Sequence, residues 1–294
     1  MAWTRSLLAL TASVLVSSGC GAKTPLEVPD VITPRDVVVN DGVDAFRPPT
    51  CTDGRFALIA RAADVILVID RSGSMAQALD GGASTPGNSK WELLREALRT
   101  TLPVFESGLG VGALFFPTWG VDPRGSVTCA VGNVPQVDVD PAVNTARSVV
   151  SLFDSTSPAG ATPTAAALLR AYTYFVRHPD RARAHYLVLA TDGGPNCNAT
   201  LDPTVCACTA PRRGGSALCG GVRDGSSCLD DARTISEIAQ LASNPITPMS
   251  TFVIGLAGRS DPVYAATLTA MAVAGGRPNV LPGELIHHLS LCVV

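Results

Sequence analysis

The stretch Asp70-Arg71-Ser72-Gly73-Ser74 puts one carboxylate and two hydroxyls within a single turn of chain. Oxygen-only donors suit a hard divalent cation, Mg2+ first and Mn2+ or Ca2+ as alternatives. Gly73 frees the loop to fold so that both hydroxyls converge. Two more oxygen sources follow: Thr162 in Gly160-Ala161-Thr162-Pro163-Thr164, and Asp192 in Thr191-Asp192-Gly193. Together, Asp70, Ser72, Ser74, Thr162 and Asp192 set only two carboxylates against a doubly charged ion, because the hydroxyls are neutral. A cation held this way stays electrophilic, and an incoming Asp or Glu carboxylate from a partner can complete its coordination. No neighbouring residue has the character of a general base. Taken singly, each of the five also reads as an ordinary turn former.

The elements that would position these residues are legible. Val65–Ile69 is an uninterrupted apolar run, β-branched at all but Leu67, and similar runs occur at Val111–Phe116, Tyr186–Ala190 and Thr251–Leu256. Continuous rather than alternating apolarity implies strands covered on both faces, as in a parallel sheet. Helical spacing occupies the stretches between. Ser89–Leu102 opens with a capping box, Ser89 to Glu92, and repeats apolar residues at Trp91, Leu94, Leu98 and Leu102. Pro163 introduces Thr164–Arg177, which Pro179 closes. Asp140–Phe153, Asp230–Ala242 and Pro262–Ala274 complete the set. Strands alternating with helices predict an α/β, doubly wound, mostly parallel sheet with helices on both faces. In such sheets ligands bind beyond the carboxyl ends of the strands, where Asp70 and Asp192 fall. Ser126–Val131 is expected as a short edge strand beside Val111–Phe116.

Asp-x-Ser-x-Ser after a first strand, a later Thr in a Gly-x-Thr loop and a still later strand-end Asp-Gly resemble the metal-ion-dependent adhesion site (MIDAS) of von Willebrand factor A (vWA) domains. The likeness runs from about Asp64 to the C-terminus, apart from Gly193–Cys228. It implies that Ser72 and Ser74 bind the metal directly. Thr162 and Asp192 would do so directly or through water, and Asp70 would hold waters and hydroxyls in place. It also implies a protein or peptide partner that offers an acidic side chain.

The chain ends and cysteines set the context. Arg5, the apolar stretch Leu7–Val16 and Ser17-Ser18-Gly19 before Cys20 read as an export signal, too short to span a bilayer. Small residues ahead of a cysteine resemble the bacterial lipobox, although Ser17 stands where that motif prefers Leu. The expected organisation is a signal peptide at 1–19, lipidated Cys20 with a proline-rich tether to residue 50, and one domain over 51–294 with its core from about 64. Acyl chains on Cys20 would place the domain in a bacterial cell envelope, held to the membrane by lipid alone. Eight cysteines remain: Cys51, Cys129, Cys197, Cys206, Cys208, Cys219, Cys228 and Cys292. An even number in an exported chain fits disulfides, while sequence leaves their connectivity open. Residues 193–228 hold five of them among Gly, Pro, Asn and Thr, and read as a loop-rich insert with its own bridges. Lying directly after Asp192, the insert either shapes which partner reaches the ion or is a stapled surface loop. Some vWA domains are closed across their termini, which implies Cys51 with Cys292. Cys129 would then pair with an insert cysteine, leaving two bridges inside the insert.

Other functions fit less well. The 294-residue chain is 46% hydrophobic and 16% charged with a formal charge of −3 and no Lys/Arg run, which disfavours a disordered protein and a nucleic-acid binder. Ser72 stands where an Asp-x-Asp phosphatase loop needs its second acid. A Gly-x-Ser-x-Gly elbow is absent, as is a phosphate-binding loop. His178 sits at a helix end, His185 begins a strand, and His287-His288 fall in an expected terminal helix that cannot turn both one way. Cys206-Ala207-Cys208 lacks the Cys-x-x-Cys pairs of a zinc ribbon. Trp91 belongs to a helix's apolar face, and Trp119, after a strand near the same sheet edge, to turn packing, with ligand contact as the alternative. The sequence therefore reads as a non-enzymatic binding domain, with a purely structural metal as the alternative and a metal-dependent hydrolase behind it.

Overall fold

The computed structural model describes residues 62–105, 108–118, 128–140, 145–180, 182–210, 217–221, 223–256 and 262–276. Cys20, the tether, Cys51, Trp119, His287, His288 and Cys292 lie outside the described residues. Among the described residues four strands, β1 (Ala63–Asp70), β2 (Leu109–Phe116), β3 (Ala184–Thr191) and β4 (Thr251–Gly255), form one sheet in the order β2-β1-β3-β4. Every pairing is parallel, with Asp70 level with Phe116 and Ile69 level with Ala190. The helices are α1 (Lys90–Phe105), α2 (Thr145–Ser155), α3 (Thr164–Arg177), α4 (Asp231–Ala242) and α5 (Pro262–Ala274).

Successive residues of β1 feed opposite faces, which is why its apolar run is unbroken. Leu67 and Ile69 join Val111, Ala113 and Phe115 beneath α1 and α2. Ile66 and Val68 join Leu114, Phe116, Leu187 and Leu189 beneath α3 and α4. This is the doubly wound α/β architecture expected from sequence. On the first face Trp91 packs against Phe153 and Phe115 with ring centroids 4.4 and 5.6 Å apart, so Trp91 is core. The capping box at α1 is complete. Ser89 N–H and Oγ–H both donate to Glu92 Oε2, and Glu92 N–H donates back to Ser89 Oγ.

Of the expected edge strand at Ser126–Val131, the described residues 128–131 carry no strand. Val137 takes the place beside β2 instead, in an antiparallel bridge to Ala113. Gln136 extends that contact with its side chain. Its Oε1 accepts from Phe115 N–H at 2.8 Å and its Nε2 donates to Phe115 O at 3.1 Å. Gly112 explains how close this segment comes, since a Cβ there would lie 2.7 Å from Val139 Cγ2 and 2.8 Å from Val137 O. The helix predicted from Asp140 begins at Thr145, with 141–144 outside the described residues.

Candidate cation site

Parallel strands bring the chain out at the same edge each time, and β1 and β3 are neighbours. Their carboxyl ends therefore deliver Asp70 and Asp192 side by side. Both are buried. Asp70 Oδ1 accepts from Ser72 N–H at 2.8 Å, and Oδ2 accepts from Thr191 Oγ–H at 2.6 Å. Those bonds fix the carboxylate beneath the turn that carries the serines. Ser72 Oγ and Ser74 Oγ lie 3.1 Å apart, converging as the Gly73 spacing predicts.

Backbone bonds lock the Thr162 loop onto this turn. Gly73 N–H donates to Gly160 O, and Ala159 N–H donates to Arg71 O. Arg71 adds its guanidinium, donating to Thr118 O at 3.1 Å and Ser157 O at 3.0 Å. Ser72, Ser74 and Thr162 consequently line one cleft of about 530 Å3. Asp70 and Asp192 are buried and close enough to feel each other's charge. Burial first, and then the charge on Asp192, push the Asp70 carboxyl up to about 7 against the opposing pull of its hydrogen bonds.

Lys90 is the site residue that sequence reasoning missed. Its ammonium is buried and donates to Asp192 Oδ2 at 2.8 Å. A signal was present: Lys90, Leu94, Leu98 and Leu102 recur at the four-residue spacing of one helix face, so Lys90 had to enter the core and find an anion. The other oxygen, Asp192 Oδ1, is buried with no hydrogen-bond partner among the described residues. Once Asp70 is ionised, two buried carboxylates against one ammonium leave a deficit of positive charge. The unmatched Oδ1 and the hydroxyls of Ser72, Ser74 and Thr162 thus fit a hard cation. Gly193 then turns the chain at φ +91°, where a Cβ would sit 2.8 Å from Leu268 Cγ and 2.9 Å from Tyr264 O.

The cysteine-rich segment forms the opposite wall. Cys206 pairs with Cys228, Cys208 with Cys219, and Cys129 with Cys197. Cys206 Sγ and Cys219 Sγ of adjacent bridges lie 3.4 Å apart, so this cluster is two packed disulfides and not a set of zinc thiolates. Thr209, Ala210, Gly220, Ser226 and Ser227 face the cleft together with Tyr264 of α5. The described histidines lie elsewhere. His178 stacks on Tyr174 at the end of α3, and His185 stacks on Phe175.

No protein-family model matches the chain, and no curated protein matches it either. Among solved structures the chain is similar to the PilB minor pilin from Streptococcus sanguinis, with 17% identity and a TM-score of 0.49 for its D319A mutant. That match covers 75% of this chain and 57% of the pilin, so the chain spans a little over half of that protein's length. It is also similar to the vWF domain of the type V pili tip protein Mfa5 from Porphyromonas gingivalis, with 14% identity, 72% and 87% coverage and a TM-score of 0.42. The manganese-loaded TRAP protein of Plasmodium vivax matches with 14% identity, 75% and 65% coverage and a TM-score of 0.42.

Proposed function

We propose that this chain carries an adhesion-type vWA domain that binds a protein or peptide partner through a divalent cation held by Ser72, Ser74, Thr162 and Asp192, with Asp70 orienting the hydroxyls. The observation that carries the reading is the buried, unmatched Asp192 Oδ1, within reach of the charge of a second buried carboxylate and two residues along the chain from Gly194 in the wall of the hydroxyl-lined cleft. A bound cation supplies a Lewis-acidic centre for an incoming carboxylate. The chain's own residues hold the ion, with Lys90 sharing Asp192 through its other oxygen, and leave the cleft as the approach. Among its described lining residues are no histidine, lysine or free thiol to serve as a base, which favours binding over turnover. The three disulfides among the described residues fit an oxidising compartment, and with the expected signal peptide at 1–19 they support a cell-envelope location with Cys20 as lipid anchor. No helix among the described residues is long and apolar enough to cross a membrane.

Titration of the purified protein with Mn2+ followed by calorimetry tests the site. Wild type should bind one ion, and Asp70→Ala or Ser72→Ala should weaken binding by about tenfold or more with the fold retained by circular dichroism. Capture of partners from envelope extract should require Mg2+ and vanish in EDTA. Equal capture in both would sink the adhesion reading.

A further inference from the structure

Thr162 would be the most exposed of the ligands to error, because it comes from a loop rather than from a strand end. Two segments remote in sequence grip that loop. From one side, Asn196 Oδ1 accepts from Thr162 N–H at 2.7 Å, and Asn196 N–H donates to Thr162 O at 2.9 Å. From the other, Thr128 O accepts from Ala161 N–H at 3.2 Å. The residues that follow these two contacts, Cys197 and Cys129, are joined as a disulfide. Cys197 is also the one described non-glycine residue at positive φ, 74°. A β-carbon in that region of backbone is held there only where surrounding bonds over-determine it, and such positions gather at working sites. Asn196 reaches further: its Nδ2 donates to Thr209 Oγ1 at 2.9 Å, and Thr209 Oγ1–H donates to Ser227 O at 3.0 Å, so the same residue ties Thr162 to the wall of the cleft.

Resting on the cation-site reading above, we infer that Asn196 and the Cys129–Cys197 bridge are positioning elements that hold Thr162 at the cation. The cysteine-rich segment is thereby coupled to the ion, not merely placed beside it. The other two bridges, Cys206–Cys228 and Cys208–Cys219, close the segment on itself. They supply the internal control.

Four forms of the protein decide the matter: wild type, Asn196→Ala, Cys129→Ser/Cys197→Ser, and Cys208→Ser/Cys219→Ser. Each is titrated with Mn2+, and amide hydrogen exchange at Ala161 and Thr162 is followed without metal. Asn196→Ala and the Cys129/Cys197 pair should each weaken Mn2+ binding by about tenfold or more, the usual cost of removing a residue that orients a metal ligand. Both should speed exchange at Thr162. Cys208→Ser/Cys219→Ser should lower the melting temperature yet bind Mn2+ within about twofold of wild type, with Thr162 still protected. If the Cys129/Cys197 variant fails to fold, Asn196→Ala, which keeps every bridge, carries the decision. Wild-type affinity in Asn196→Ala, or equal losses in both cysteine pairs, overturns the inference and leaves the cation site standing. Absence of Mn2+ binding by wild type overturns the cation site, and the inference with it.

Discussion

Lys90 sets the electrostatic character of the site. Its side chain and that of Asp192 are 7% and 2% exposed, so neither charge is screened by water. Breaking a buried pair by removing one partner costs about 3–5 kcal/mol, because the survivor is left charged in a poor solvent. Lys90→Met should therefore destabilise the metal-free protein by about that amount. A bound cation would then neutralise Asp192 in place of the ammonium. The rise in melting temperature on adding Mn2+ should accordingly be larger in Lys90→Met than in wild type, as differential scanning calorimetry would report. An unchanged rise would mean that ion and ammonium do not share Asp192.

The first turn of α1 delivers Lys90 to that place. The reciprocal bonds of Ser89 and Glu92 satisfy backbone donors that the helix cannot use, and Ser89 draws the Glu92 carboxyl below its ordinary range. Ser89→Ala should cost about 1 kcal/mol, seen as a lower midpoint in urea with an unchanged slope. Strands, helices and the capping box were all legible in the sequence, because unbroken apolar runs, a four-residue repeat and Ser-x-x-Glu are local signals. The strand-end positions of Asp70 and Asp192 followed from the same logic. What escaped was set by side chains meeting across the fold. The Gln136–Val137 edge segment has no apolar alternation to announce it, and the Asn196–Thr162 bonds join residues that only the fold makes neighbours. Lys90 stands between: its spacing marked it as buried, but only the parallel register of β1 and β3 supplies Asp192 to meet it.

At the scale of the whole domain, the two ends of the sheet obey different electrostatics. Far from the cation site, His185 at the start of β3 stacks on Phe175 at 4.4 Å. Burial lowers its pKa below the ordinary value, against the opposing pull of Asp64 and then Asp180 and with the smaller help of Arg183. Asp64 is already matched by Arg183 Nε at 2.6 Å. A depressed histidine pKa means that the unfolded chain binds the proton more readily, so stability rises with pH through this window and falls as pH drops below the unfolded value of about 6.5. His185→Gln should flatten that acid limb by less than one proton relative to wild type, measured by urea unfolding between about pH 5 and 7.5. A parallel pair of curves would show that the ring is indifferent to protonation.

The carboxamide of Gln136 has a further consequence for solution behaviour. A parallel sheet ordinarily finishes in a row of bare amides and carbonyls that invites another chain to dock as an extra strand. Here one side chain and the single residue beyond it consume the middle of that row at the β2 end. That margin is interrupted at its middle, so strand addition by a second copy has no continuous template along it.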